Sequence, residues 1–385
     1  MSNTLDTENA VRERYSAAAQ AREVELCCPV DYDRKFLEVI PKEVIDRDYG
    51  CGDPSKFVRE GETVLDLGSG GGKICFIASQ VVGEKGRVIG VDMNDEMLAL
   101  ARESQQVVAE RIGYNNVSFL KGRIQDMTID RDQVDQYLKN NPVTDEQALQ
   151  QLETFISDSR RDSPMIPDNS VDVVVSNCVL NLVDSDEKQQ LFKEIYRVLK
   201  DGGRAVISDI VSDEQVPQHM QNDPELWSGC ISGALQERDF LNAFVDVGFY
   251  GVEMPVLQAD AWQTVEGIEF RSATVIAYKG KDGPCMEHNE AVIYRGPFKQ
   301  VCDDLGHFYE RGKRVAVCRK TFEILTREPY ADSFVAIEPC TEIAEADAKP
   351  FVCDGEAKER SPKVSKGKSL KLTIADSCCG PGECC

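Results

Sequence analysis

The stretch Thr63-Val64-Leu65-Asp66-Leu67-Gly68-Ser69-Gly70-Gly71-Gly72-Lys73-Ile74-Cys75 decides the fold. Val64 to Leu67 reads as an apolar strand, Gly68 to Gly72 as a tight turn, and a helix starts near Lys73. Backbone N–H groups and a helix N-terminus at the carboxyl end of a strand are how an α/β sheet presents a nucleotide. Cys75 lies in the first turn of that helix, where the helix dipole is expected to lower a thiol pKa.

Outward from this turn the pattern alternates strand and helix. Strands are predicted at 63–67, 87–92, 117–122, 171–176 and 204–208, with helices at 73–82, after Asn94 or Asp95, and at 186–200. Strand four is an unbroken apolar run, as a central parallel strand requires. The alternation predicts an α/β, doubly wound, Rossmann-like sheet. Residues 128–166 interrupt it with two charged helical stretches, an expected surface insertion. Residues 1–60 read as an N-terminal helical arm ending in the Gly50-Cys51-Gly52 loop, with helices at 7–26 and 33–48. The core is assigned to 61–211, a lobe covering its active edge to 212–283, and a small mixed α+β appendage to 284–340. Residues 341–385 are poor in aromatics and rich in Ala, Glu, Lys and Ser, so disorder is expected, ending in Cys378-Cys379 and Cys384-Cys385.

Composition narrows the function. At 42% hydrophobic and 29% charged residues, most of the chain is globular. A net charge of −23 repels phosphate backbones and anionic lipid, which argues against nucleic-acid and membrane partners. No signal peptide is evident, and no apolar run approaches the ~20 residues that span a bilayer. A cytoplasmic location is expected. There, 15 cysteines are more readily thiols, catalytic groups or soft-metal ligands than a disulfide scaffold.

The details of the loop point to one cofactor class. The spacing Gly68-x-Gly70-x-Gly72 is tighter than a dinucleotide fingerprint, although Gly71 leaves the register open. Asp66, two residues ahead, is placed to receive a cationic ammonium. Asp92, at the end of strand two, is placed for the hydroxyls of a ribose or, alternatively, for capping the next helix. One ribose, an adenine and an amino-acid tail describe S-adenosylmethionine. The D-x-G-x-G-x-G pattern resembles class I methyltransferases; a nucleotide-linked dehydrogenase is the alternative. The resemblance implies cofactor contacts from Asp66, Gly68, Ser69, Gly70, Asp92, Met93, Ile124, Gln125 and Asn177.

Cysteines fall at loops and element ends around the same cleft: Cys51 between glycines, Cys75 after the glycine loop, Cys178 after strand four, and Cys230 in Ser228-Gly229-Cys230-Ile231-Ser232-Gly233. Such a set suggests a soft, thiophilic centre. Zinc fits less well, because no Cys-x-x-Cys pair or histidine ligand spacing occurs. The glycine loop with Cys75, the segment Gly90–Leu98, Ser176-Asn177-Cys178-Val179-Leu180-Asn181-Leu182 and Cys230–Ala234 together resemble arsenite S-adenosylmethionine methyltransferases over roughly residues 15–335.

That resemblance implies that Cys178 and Cys230 hold trivalent arsenic as thiolates. It makes Cys51 and Cys75 a redox pair, either of which supplies a third ligand at some stage. The substrates would be arsenite and methylarsenite, and the reductant a thiol such as glutathione or thioredoxin, the latter a possible protein partner. Cys27, Cys28, Cys285, Cys302, Cys318, Cys340 and Cys353 read as filler or accessory thiols. Two competing functions remain at this level: methylation of an organic metabolite, and non-enzymatic binding of arsenic or another metal by thiols.

Overall fold

A computed structural model describes residues 7–20, 23, 30–280, 282–353 and 358–365. Cys27, Cys28 and the Cys378, Cys379, Cys384 and Cys385 tail lie outside the described residues. By internal packing the chain divides into two compact units, Met1–Gly280 and Lys281–Cys385.

In chain order the first unit contains α1 (Thr7–Ala18), α2 (Arg34–Leu37), α3 (Lys42–Asp46), β1 (Thr63–Leu67), α4 (Lys73–Val82), β2 (Arg87–Asp92), α5 (Asp95–Ile112) and β3 (Val117–Lys121). Then follow α6 (Arg131–Asn140), α7 (Glu146–Asp162), β4 (Val171–Asn177), α8 (Ser185–Val198), β5 (Leu199–Ser212), α9 (Gln218–Gln221) and α10 (Pro224–Ser228). The unit closes with β6 (Leu235–Gln236), α11 (Glu237–Asp246), β7 (Tyr250–Leu257), β8 (Gln263–Val265) and β9 (Ile268–Tyr278).

These strands form one 9-stranded sheet of order β3-β2-β1-β4-β5-β9-β7, with β6 beside β5 and β8 beside β9. Strands β1 to β5 are parallel, as the βαβ alternation predicts, and β9 and β7 add an antiparallel edge. The strand order reverses beside β1: β2 lies on one side and β4 on the other. In an open α/β sheet that switch point, at the carboxyl ends of the strands, is where a ligand crevice opens. The core beneath it is apolar, with Leu65, Leu67, Val174, Ile195 and Ile207 fully buried.

Several element bounds differ from the sequence expectation, each for a local reason. Strand five runs to Ser212 rather than Ser208, because β9 pairs with it from Arg204 to Ser212. The charge of Asp209 hides this extension in the sequence; its carboxylate is buried and accepts backbone N–H groups from Leu180 and Ile210, both at 2.8 Å. The stretch 33–48 splits at Pro41 into α2 and α3; α1 ends at Ala18, and residues 21–22 and 24–26 of the expected first helix lie outside the described residues. The insertion forms α6 and α7, joined by stacking of Tyr137 on Phe155 at 4.3 Å and with Val134 as its one buried helical side chain.

The second unit is a small mixed body. It contains β10 (Met286–Glu287), β11 (Ala291–Tyr294), β12 (Gln300–Cys302), β13 (Phe308–Glu310), β14 (Arg314–Ala316), α12 (Arg319–Leu325), β15 (Phe334–Ile337) and β16 (Lys349–Pro350). A three-stranded sheet, β14-β11-β15, packs through Val292, Tyr294, Phe322 and Phe334. Regular structure continues past residue 340, where disorder was expected. β16 pairs with β10, and Arg360 makes a two-pronged ion pair with Glu287 at 2.7 and 2.9 Å. One guanidinium nitrogen shared by both carboxylate oxygens, together with a strand pairing, supplies the order that composition alone does not forecast.

Candidate active site

Every residue expected at the cofactor lines a single cleft in the first unit: Asp66, Gly68, Ser69, Gly70, Asp92, Met93, Ile124, Gln125 and Asn177. Cys178 lines it too, whereas Cys51, Cys75 and Cys230 stand behind its wall. The loop's shape follows from its glycines. Gly68 has φ 65°, and a Cβ there would lie 2.4 Å from Cγ1 of Val179, so the turn sits tightly against the segment that carries Cys178.

Within the cleft the carboxylates are already partly engaged. Asp92 accepts the N–H groups of Gly70 and Asn94, each at 2.8 Å, while Asn94 caps α5 through Met97 N–H at 3.0 Å. Asp92 therefore braces the glycine loop, and the capping role belongs to its neighbour. Burial raises the Asp92 pKa in spite of those N–H groups. Asp66 is 2% exposed, and burial pushes its carboxyl up to about 7. Such a group favours a cationic partner, whose charge would offset the cost of desolvation. Ser69 Oγ is buried with no hydrogen-bond partner among the described residues, and a Cβ on Gly70 would meet nothing within 4 Å. A buried carboxylate beside a glycine turn with open space at Gly70 fits a polar, cationic cofactor tail.

The N-terminal arm closes one side. Val11, Arg12 and Tyr15 of α1 line the cleft, and Tyr15 packs edge-on against Tyr49 at 6.1 Å. Tyr49 in turn donates to the Ala18 carbonyl at 2.9 Å, and Glu8 pairs with Arg123.

The cysteines converge deeper in. Cys51, Cys178 and Cys230 belong to one buried apolar cluster with Ile210, Met220 and Phe270. Cys51 and Cys178 are joined by a disulfide, with Cα atoms 5.7 Å apart. This departs from the pairing of Cys51 with Cys75 that the resemblance implied. Cys230 Sγ faces the Cys178 carbonyl at 3.4 Å and the Tyr15 hydroxyl at 3.8 Å. An Asp209 carboxylate oxygen lies within 4.8 Å of the Cys51 and Cys178 sulfurs. Cys178 and Cys230 have φ 59° and 62°, left-handed backbone that ordinary side chains seldom adopt and that clusters at functional sites.

Asn177, expected to face the cofactor or substrate, lines the cleft but spends its amide on the Cys51 loop. Its Oδ1 accepts Cys51 N–H at 2.9 Å and Gly52 N–H at 3.0 Å, and its Nδ2 donates to Gly52 O at 2.8 Å. The loop lies so close that a Cβ on Gly50 would fall 2.0 Å from Asn177 Nδ2.

Cys75 also corrects the expectation. Its thiol is fully buried and donates to Asp66 at 3.2 Å. Burial, reinforced by the Asp66 charge, drives its pKa well above the usual value, against the lowering expected from the helix N-terminus.

Lys188 went unnoticed in the sequence, where it is one charge among several on α8. It is buried, and its Nζ donates to Leu180 O at 3.1 Å and Gly233 O at 2.7 Å. It thus ties the segment after Cys178 to the loop after Cys230. Burial brings its pKa down to about 8. Tyr15 was equally invisible, because it approaches Cys230 from the other end of the unit.

Among the described residues no helix is long and apolar enough to cross a membrane. A methyltransferase domain family matches residues 59–160 and 153–248, and a domain family of unknown function matches 281–370. The arsenite methyltransferase of Aquipseudomonas alcaligenes is 33% identical over 313 residues, 78% of this chain and 80% of that protein. The arsenite methyltransferase of Mus musculus is 30% identical over 79% of this chain and 74% of its own length. The crystal structure of CrArsM, an arsenic(III) S-adenosylmethionine methyltransferase from Chlamydomonas reinhardtii, matches with TM-score 0.54 at 26% identity, covering 84% of this chain and 100% of that one. With its Rossmann-like sheet, glycine-loop cleft and cysteine cluster, the chain belongs to the arsenite methyltransferase family.

Proposed function

We propose that this chain methylates trivalent arsenic, first arsenite and then methylarsenite, on a platform of Cys178 and Cys230 thiolates beside the glycine-loop cleft. The carrying observation is the convergence of Cys51, Cys178 and Cys230 in one buried cluster whose Cys178 opens onto that cleft. S-adenosylmethionine, when bound, supplies an electrophilic sulfonium methyl.

The chain's own residues do the rest. Thiolates replace hydroxide on As(III) and leave its lone pair free to attack the methyl. Asp66 and the glycine loop would hold the donor's tail, and Asp92 holds that loop in place. The N-terminal arm and the apolar lining exclude water. Alignment of two bound reactants is worth up to about 7–11 kcal/mol. No general base is needed, because no proton leaves in the methyl transfer.

Each methyl transfer by the lone pair oxidises arsenic by two electrons. Two thiolates return those electrons by forming a disulfide, and an external thiol reductant reopens it. Cys51 is the shared member of both candidate pairings: it is bonded to Cys178 here, and the family resemblance pairs it with Cys75. A reducing cytoplasmic thiol pool, glutathione or a thioredoxin-type protein, suits this cycle. Incubation with arsenite, methyl-labelled S-adenosylmethionine and glutathione, followed by arsenic speciation, tests the reading. Labelled methylarsenic supports it; unlabelled arsenite alone contradicts it.

A further inference from the structure

In the second unit, Cys285, Cys318 and Cys353 bring their sulfurs within 4.8 Å of one another. The fold assembles them from three places in the sequence. The β10–β16 pairing sets Met286 opposite Pro350, and Phe351 N–H bonds to Cys285 O at 2.8 Å, which carries the chain on to Cys353 beside Cys285. Cys318 enters as the N-cap of α12, its Sγ near Thr321 Oγ1 at 3.2 Å. None of the three is in a disulfide. Cys318 is buried, Cys285 half-buried and Cys353 exposed, so the cluster has a floor and an open side. Cys318 and Cys353 also line a small cavity with Tyr309 and Val315.

The donor set selects the guest. Among the described residues no histidine or carboxylate joins these thiols. A structural zinc site closes with four ligands, and only three are offered. Three soft sulfurs suit a three-coordinate, thiophilic centre. We propose that Cys285, Cys318 and Cys353 form a second trivalent-arsenic site, separate from the methylation centre, that captures arsenite through three thiolates. The choice of arsenic among thiophiles rests on the methylation reading; the three-thiol site does not. Capture is redox-neutral: arsenous acid and three thiols give three As–S bonds and three waters, as three As–O and three S–H bonds break.

The test uses the reduced full-length chain with Cys178→Ser and Cys230→Ser to remove the first site, and Cys378, Cys379, Cys384 and Cys385 changed to Ser. Arsenite is titrated in. Native mass spectrometry counts bound arsenic, and X-ray absorption counts its sulfur neighbours. One arsenic with three sulfurs is expected, with affinity weakened at least about tenfold by Cys285→Ser and, separately, by the exposed Cys353→Ser. Cys318 is left intact because it caps α12. No arsenic uptake, uptake unchanged in both variants, or binding of added Zn²⁺ in place of arsenite would each overturn the proposal. Because the count requires no turnover, its failure is distinguishable from a failure of the methylation assay in the wild-type chain.

Discussion

Asn177 holds Cys51: its Oδ1 accepts the Cys51 backbone N–H at 2.9 Å, across 126 residues of sequence. With Cys178 next in the chain, one strand end positions both halves of the Cys51–Cys178 disulfide. Asn177→Ala removes the acceptor for two N–H groups at once. A loss of about 1–3 kcal/mol is expected, with slower re-formation of the disulfide after reduction, followed by thiol trapping and mass spectrometry. Gly50→Ala should act in the same direction by forcing Asn177 aside. Unchanged disulfide kinetics in both variants would show that the loop is held by something else.

The Asp66 carboxyl gives a pH dependence with a definite sign. Its folded pKa is raised from 3.8 to about 7 by burial. Its contribution to the stability of the ligand-free protein is therefore complete below about pH 4 and is lost as pH rises through 7. The Tm of the ligand-free protein should carry this falling component between pH 4 and 7, and Asp66→Asn should remove it. The same substitution should weaken S-adenosylmethionine binding by about 1.5–3 kcal/mol, the worth of a hydrogen bond to a charged group. Calorimetric titration at pH 8 measures it.

Lys188→Met tests the clamp between the two cysteine-bearing loops. Losing the bonds to Leu180 O and Gly233 O should cost about 1.5–3 kcal/mol of stability, seen as a lower midpoint in urea. Arsenite affinity should fall about tenfold, or ~1.4 kcal/mol, as Cys178 and Cys230 lose their mutual geometry. A destabilised variant with intact arsenite affinity would separate the clamp from the site.

Cys75 Sγ is buried and donates to Asp66 at 3.2 Å, apart from the cluster that gathers Cys51, Cys178 and Cys230. Cys75→Ser should leave equilibrium arsenite binding within about twofold, a change under ~0.4 kcal/mol. Its effect should appear instead in repeated turnover of the first methylation, where the redox cycle is used. Loss of arsenite binding itself would place Cys75 among the ligands.

Much of the first unit was legible because its signals are local. The glycine loop, Asp66 and Asp92 declare themselves by spacing along one βαβ unit, and Cys178 by standing at the end of an apolar strand. What stayed hidden depends on tertiary approach. Lys188 reads as an ordinary surface charge until β5 and the Cys230 loop fold over it, and Tyr15 lies 215 residues from the thiol it faces. Cys75 was read by its place in the helix, yet its environment is set by the carboxylate beneath it. Cys285 and Cys353 are brought together by a two-residue strand pairing too short to leave a periodic pattern, and Cys318 joins them from the N-cap of α12.

The central claim is that Cys178 and Cys230 together hold the arsenic that is methylated. The direct measurement is arsenic speciation after incubation with methyl-labelled S-adenosylmethionine and glutathione, on wild type, Cys178→Ser and Cys230→Ser. Each should be given arsenite and, separately, methylarsenite. The account predicts labelled methylated products from wild type and none from either variant with either substrate. Full activity in either variant would contradict it.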